Sequence, residues 1–270
     1  MNINLKGDLL SLKTPVVMGV LNFTEDSFYA ESRCASDLLV VRRAEQILQE
    51  GAAIIDVGAV STRPGSNPID ANTEYLRVKK CLKLILQNFP NAKISVDTFR
   101  ANIAQMSIDE GAVLINDISG GEDPQMFPVV AKYQIPYCLT FNMRNFQLSK
   151  DEIFPEMLSF FGKKVEQLRQ MGLNDIVLDP GFGFGQTVEE SLYLMNHIEI
   201  LESLELPTLI GISRKRMVFN TLGVTPQEAL AGTIVLNTVA LQKGAHILRV
   251  HDVKEAVDAV KMVEALKQNI

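Results

Sequence analysis

One repeated alternation constrains this chain more than any other feature. Along residues 16–267 a short apolar run, a polar or glycine-rich turn and a longer amphipathic stretch succeed one another again and again. Apolar runs bounded by turn residues mark strands buried on both faces, and apolar residues spaced by three and four mark helices with one buried face. Their alternation predicts βα units and a parallel sheet, and argues against an all-helical or all-strand fold. The runs fall at 16–21, 53–57, 93–96, 113–115, 136–139, 175–178, 208–212 and 246–250, eight in all. Helices are predicted at 35–49, 73–87, 100–109, 152–170, 227–243 and 253–267, and Gly51, Gly111, Gly172 and Gly244 stand where left-handed helix caps belong. Eight units in 270 residues average about 34 each, and an eightfold barrel takes roughly 250. The expected fold is therefore one (β/α)8 (TIM) barrel domain over 1–270, with 1–13 a short N-terminal β-hairpin and 14–268 the barrel. A doubly wound open sheet could hold the same units.

Bulk properties narrow the function. Hydrophobic residues make up 47% and charged residues 21%, with a formal charge of −6 and no cationic run longer than Arg214-Lys215-Arg216. That balance suits a globular protein and excludes a nucleic-acid coat, so any anionic ligand has to be held by locally placed groups. Cys34, Cys81 and Cys138 are scattered, without a CxxC pair, and read as reduced thiols. No signal-peptide core precedes the first strand and no apolar run approaches the ~20 residues that span a bilayer, so a cytoplasmic address without membrane contact is expected.

Barrels of this type build their sites at the C-terminal ends of the strands. The predicted strands end in Asn22, in Asp56 running to Ser61-Thr62-Arg63, in Asp97, in Asn116-Asp117, in Asp179, in Ser213-Arg214-Lys215 and in Arg249 with His251. Any single Asp, Asn or Ser there could simply cap the next helix. Helix N-termini disfavour cations, however, so Arg63, Lys215, Arg249 and His251 on the same rim are not explained by capping. Carboxylates mixed with cations suit a ligand with a hydrogen-bonding heterocycle at one end and an anion at the other. His197 and His246 read instead as a helix-surface and a strand-start residue.

Eight segments carry a more specific signal: Met18-Gly19-Val20-Leu21-Asn22, Asp26-Ser27-Phe28, Ser61-Thr62-Arg63-Pro64-Gly65, Ser95-Val96-Asp97-Thr98, the run from Ile115 through Asn116 to Gly121, Leu178-Asp179-Pro180-Gly181-Phe182-Gly183-Phe184-Gly185, Ser213-Arg214-Lys215, and the run from Leu248 to Val253. In sequence and in order they resemble the dihydropteroate synthases. The resemblance implies an enzyme that joins (7,8-dihydropterin-6-yl)methyl diphosphate to 4-aminobenzoate in folate biosynthesis and releases diphosphate. It implies a pterin pocket of Asp97, Asn116, Asp179 and Lys215, and a diphosphate site of Asn22, Thr62, Arg63, Arg249 and His251. It also implies Mg²⁺ carried by Asn22, aminobenzoate near Ser213, Lys215 and Arg216, catalysis by Asp97, Lys215, Arg63, Arg249 and His251, a family that is the target of sulfonamides, and a homodimer packed through the last barrel helices.

The chemistry agrees with those roles. A pterin offers amino and ring N–H donors beside a carbonyl, which carboxylates, an amide and an ammonium complement. Arginine pairs with phosphate oxygens in bidentate fashion, and Mg²⁺ prefers oxygen ligands shared between few protein groups and phosphates. The glycines after Asp179 read as room for close backbone approach rather than as a phosphate loop. Departures from the family pattern cluster in the loops: Thr24-Glu25-Asp26 and Ala30-Glu31-Ser32, Val60, residues 141–145, and Arg216 where serine is common. Two rivals remain open, a methyltetrahydrofolate-dependent methyltransferase on a similar barrel and a non-catalytic pterin binder.

Overall fold

A computed structural model describes residues 1–23, 33–59 and 69–269, apart from the side chains of 33–36 and 145. Strands β1 (Asn2–Leu5) and β2 (Asp8–Ser11) pair antiparallel as the expected hairpin. The barrel strands are β3 (Val16–Asn22), β4 (Ile54–Gly58), β5 (Ile94–Asp97), β6 (Leu114–Asp117), β7 (Tyr137–Thr140), β8 (Ile176–Asp179), β9 (Leu209–Ile210) and β10 (Ile247–Val250). They lie in the order β8-β7-β6-β5-β4-β3-β10-β9, every neighbour parallel. A single parallel bridge from Leu178 to Thr208, with Leu178 N donating to Pro207 O at 2.8 Å, joins β8 to the start of β9 and closes the ring. Closure decides between the two candidate architectures: the fold is the (β/α)8 barrel and not the open sheet.

Around it run α1 (Arg33–Gln49), α2 (Ala71–Asn88), α3 (Ala101–Asp109), α4 (Met126–Tyr133), α5 (Ile153–Gln170), α6 (Val188–Asn196), α7 (Arg216–Leu222), α8 (Leu230–Gln242) and α9 (Val253–Lys267). Local chemistry sets their ends. Asp70 caps α2 by accepting from the N–H groups of Asn72 and Thr73, and Thr187 and Glu190 form a reciprocal capping box on α6. The predicted caps Gly51, Gly111, Gly172 and Gly244 all take positive φ, from +85° to +111°. Two predicted elements are shorter than expected. The strand at 208–212 keeps only Leu209–Ile210, because the chain then turns so that Lys215 N can bond Ile212 O. The helix expected from 227 starts at Leu230, because the carbonyls of Pro226 and Gln227 are taken by the Arg214 guanidinium.

The two-residue period of the strands sorts the core into two bodies. Val17, Leu21, Ile55, Val57, Ile94, Val96, Ile115, Leu139, Ile176, Leu178, Ile210, Leu248 and Val250 face outward into the layer shared with the helices. The opposite parity, Met18, Ile54, Leu114, Cys138, Val177, Leu209 and Ile247, forms a separate apolar cluster inside the barrel, capped from below by Ile3, Leu5 and Leu12 of the hairpin region. Cys81 and Cys138 are buried free thiols. Among the described residues no helix is long and apolar enough to cross a membrane.

Candidate active site

One step of two residues above the apolar plug, the inward positions become polar: Asp56, Ser95, Asp97, Asn116, Thr140, Asp179 and Arg249. Arg249, on β10, is the hub. Its Nε donates to Asp56 Oδ2 at 2.6 Å and its Nη2 to Asp97 Oδ2 at 2.7 Å, joining β10 to β4 and β5 across the barrel mouth. Asn116 Nδ2 adds a 3.1 Å bond to the same oxygen of Asp56. Asp56 is wholly buried, and only charge pairing of this kind makes a buried carboxylate tolerable. Burial pushes the Asp97 carboxyl up to about 7; Arg249 opposes the rise, and the neighbouring carboxylate of Asp56 adds to it. Among the described residues, Oδ1 of Asp56, Oγ of Ser95, Oδ1 of Asn116 and Oγ1 of Thr140 are buried without a hydrogen-bond partner. Buried polar atoms in folded proteins are nearly always partnered, so four on adjacent strands mark a surface built to meet a polar ligand.

The second cation stands close to Arg249: a Cβ on Gly211 would lie 3.8 Å from the Arg249 side chain and 3.9 Å from Lys215 Nζ. Lys215 Nζ donates to Phe182 O at 2.6 Å and lies 4.9 Å from the Phe184 ring centroid. Desolvation pulls its pKa down to about 8 against the attraction of Asp179. Burial raises the Asp179 carboxyl, while Lys215 and a 2.8 Å bond from Gly181 N hold it down. The glycines of this turn serve close approach: a Cβ on Gly181 would stand 1.8 Å from Phe141 O, and one on Gly183 would stand 3.3 Å from Cδ of Lys215.

The third group of expected residues lies where β9 and β10 end. Ser213 Oγ accepts from His251 N at 3.2 Å and sits 3.1 Å from Nδ1 of His251. Arg216 is exposed at the start of α7, with Nη2 donating to Gln186 O at 3.1 Å. Arg214, between them, faces away from the site: it grips Asp252 through Nε and Nη2, each at 2.8 Å, as a structural clamp. Asn22 ends β3 exposed, its Oδ1 lying where a Cβ on Gly58 would come within 3.0 Å. Thr62 and Arg63, with the 24–32 loop, lie outside the described residues.

The structure thus gathers Asp97, Asn116, Asp179, Lys215 and Arg249 at one end of the barrel and sets His251 and Ser213 beside them. It brings in Asp56, which the strand-end reading noted without giving it a role, and adds Ser95, inside β5, and Thr140, the last residue of β7. The signal was present: stepping back two residues from Gly58 or Asp97 gives Asp56 and Ser95, and Thr140 pairs in register with Asp179. Asp117 is excluded, since its oxygens are taken by Tyr137 Oη, Ser119 and Gly121 N. His197 stacks against Tyr193 and Phe154 at the end of α6, and His246 sits half-buried before β10 at 3.3 Å from Thr208. Neither approaches the polar layer.

Comparison with known proteins matches this arrangement. The family model of pterin-binding enzymes covers residues 18–251. The dihydropteroate synthase of Escherichia coli strain K12 is 37% identical over 96% of this chain and 94% of its own length, and that of Bacillus subtilis is 37% identical over 98% and 93%. Among solved structures, the Xanthomonas albilineans dihydropteroate synthase with 4-aminobenzoic acid superposes with a TM-score of 0.92 at 30% identity, covering 98% of both chains. The Yersinia pestis dihydropteroate synthase in a sulfonamide drug complex gives 0.91 at 35% identity, covering 100% of both. A family model spanning all eight barrel strands and relatives this similar over nearly their full length place the chain in the pterin-binding enzyme family, as a member of the dihydropteroate synthases.

Proposed function

We propose that the polar layer works as a dihydropteroate synthase site in which the buried acceptors of β4 to β8, with Lys215, read the pterin and the remaining cations serve the anionic substrate groups. The observation that carries this reading is the inner ring itself: three carboxylates and an amide set against Arg249 and Lys215, with buried oxygens on four adjacent strands left for a ligand's donors.

The reaction of this family breaks the bond between the pterin methylene and the diphosphate and makes a bond from that carbon to the amine of 4-aminobenzoate. The amine loses a proton, and the diphosphate leaves with the bonding electron pair. Asp97, Asn116 and Asp179 accept from the pterin's amino and ring N–H groups, and Lys215 donates to its carbonyl side. As the carbon–oxygen bond opens, positive charge grows on the methylene and negative charge on the leaving oxygens. The carboxylates stabilise the first, and the cations the second. Arg249 can serve while held by Asp56 and Asp97, because a guanidinium carries five N–H donors and these bonds occupy two of them. Its carboxylate partners fix its orientation before substrate arrives. Thr62, Arg63 and His251 complete the diphosphate site, and Ser213 and Arg216 face the aminobenzoate carboxylate.

Among the described residues no group of three His, Cys, Asp or Glu could hold a metal ion. One exposed amide oxygen, on Asn22, fits Mg²⁺ only as an ion that keeps water and substrate phosphates as its other ligands. Bound so, it would supply charge neutralisation to the departing diphosphate. The exposed Val235 on α8, and Met262 and Leu266 on α9, support pairing of two copies through these helices.

Purified protein given pterin diphosphate, Mg²⁺ and aminobenzoate should release diphosphate only when all are present. Release that ignores aminobenzoate would point to another acceptor. No release at saturating substrate would leave a pterin binder.

A further inference from the structure

Gln186 stands just past the glycine turn and just before α6, 1% exposed, in a part of the site to which the strand-end residues give no role. Its side chain does not face water. Oε1 accepts from Gly183 N at 2.7 Å, while Nε2 is buried without a partner among the described residues. Its backbone carbonyl receives Arg216 Nη2 at 3.1 Å. The turn that it grips, 181–185, carries Phe182 O, which accepts the Lys215 ammonium at 2.6 Å, and the Phe184 ring, 4.9 Å from that ammonium. Gly183, the residue held by Gln186, is also the one against which the Lys215 stem packs, at 3.3 Å from a Cβ position.

A buried amide costs free energy unless it bonds, and here half of it is spent on one backbone N–H of a turn whose glycines give it little stiffness of its own. We infer that Gln186 is a positioning residue for Lys215: its side-chain oxygen fixes the 181–185 turn so that the Phe182 carbonyl and the Phe184 ring meet the ammonium in one orientation. Gln186 touches no substrate in this arrangement and acts through Lys215 alone. The inference rests on the reading of Lys215 as a pterin-binding group. The groups facing Lys215 are Asp179 from β8, Asp97 from β5, Arg249 from β10 and Arg144 from the turn after β7. Of these the carboxylates favour the charged amine and the guanidinium groups oppose it, so the Phe182 carbonyl is one more support for a charge that burial disfavours.

The test measures binding of pterin diphosphate without aminobenzoate, by calorimetry, across the pH interval around 8 where Lys215 titrates. Gln186→Asn keeps the amide and withdraws its oxygen by one methylene. It should weaken binding roughly 3- to 10-fold, the worth of one lost hydrogen bond, and move the alkaline loss of binding to lower pH. Gln186→Glu keeps an acceptor at the same reach, so it should restore near wild-type affinity and leave the alkaline limb in place or move it upward. Titration of the ligand itself is common to every variant and cancels. If asparagine proves too short for folding, Gln186→Met fills the volume without an acceptor and carries the same expectation. Wild-type affinity and limb in Gln186→Asn, or a glutamate variant as poor as the asparagine one, would overturn the inference. Lys215→Met separates the two layers of argument: if it binds like wild type, the pterin role of Lys215 fails; if it binds weakly while Gln186→Asn does not, only the positioning role fails.

Discussion

The two ends of the barrel interior are built from the same strands, with the same inward parity, only two residues apart. At the lower end stand Ile54, Leu114, Cys138, Val177, Leu209 and Ile247; one step up each strand stand Asp56, Asn116, Thr140, Asp179, Gly211 and Arg249. A rise of roughly 7 Å along each strand turns a sealed plug into a charged mouth. The lower end is closed by Ile3, Leu5 and Leu12 and has every reason to be permanent. The upper end holds an ion-pair network and unpartnered oxygens, an arrangement that stability alone does not favour. The scaffold therefore stores its packing energy below and spends polarity above, and damage to the two ends should differ in kind.

The largest effect is expected at the hub. Arg249→Met leaves Asp56 buried without its cation and takes a preorganised positive charge from the site. Turnover should fall by ~10² to 10³, with a stability loss on the order of 3 kcal/mol at neutral pH. Steady-state kinetics and urea unfolding read the two losses separately. Near-normal turnover would remove Arg249 from the chemistry. A second change, Asp56→Asn, should return much of the stability and none of the activity, since it removes the orphaned charge without replacing the lost one.

Leu114→Ala, two residues below Asn116, should do the reverse. Leu114 is fully buried in the plug, and deleting three carbons there should cost about 2 to 5 kcal/mol of stability. Turnover per folded molecule should stay close to wild type at a temperature where the variant is folded. Loss of activity beyond the unfolded fraction would mean that the plug and the mouth are mechanically one body, and the comparison between them would lose its force.

The same comparison explains what was legible in the sequence. Strand positions, the closing hairpin and the four glycine caps follow from periodicity and backbone sterics, which act locally, and the structure has them within a few residues. The end of β9 was misplaced because the chain turns there, with Lys215 N bonding Ile212 O, and the start of α8 because Arg214, while clamping Asp252, takes the carbonyls of Pro226 and Gln227. The site was legible where a polar residue terminates a strand, as at Asn22, Asp97 or Asp179. Asp56 and Ser95 stand within apolar runs and Thr140 is an uncharged residue just past one, and only the inward parity of a closed barrel distinguishes them from Asp117, which points the other way. The partnership of Arg249 with Asp56 and Asp97 was not legible at all, because three strands meet there only when the sheet closes.

The smallest expected effect is a slope rather than a loss. Burial raises the folded-state pKa of Asp97 to about 7, above the usual carboxylate value, with Arg249 working against the rise. Between the unfolded and folded pKa values the native protein holds a proton that the unfolded chain has given up, so stability falls as pH climbs from about 4 to about 7 and flattens above. Asp97→Asn removes that titration. Its unfolding free energy, followed by urea titration at several pH values, should lack this part of the fall, and the variant should gain on wild type toward neutral pH even as pterin binding is lost. The lower end offers the control: it carries no carboxylate in its cluster, so Leu114→Ala should shift the whole stability curve downward without changing its slope. Parallel curves for Asp97→Asn and wild type would mean that Arg249 keeps Asp97 ionised throughout, and that the charged mouth is balanced by ion pairing alone, without a shared proton.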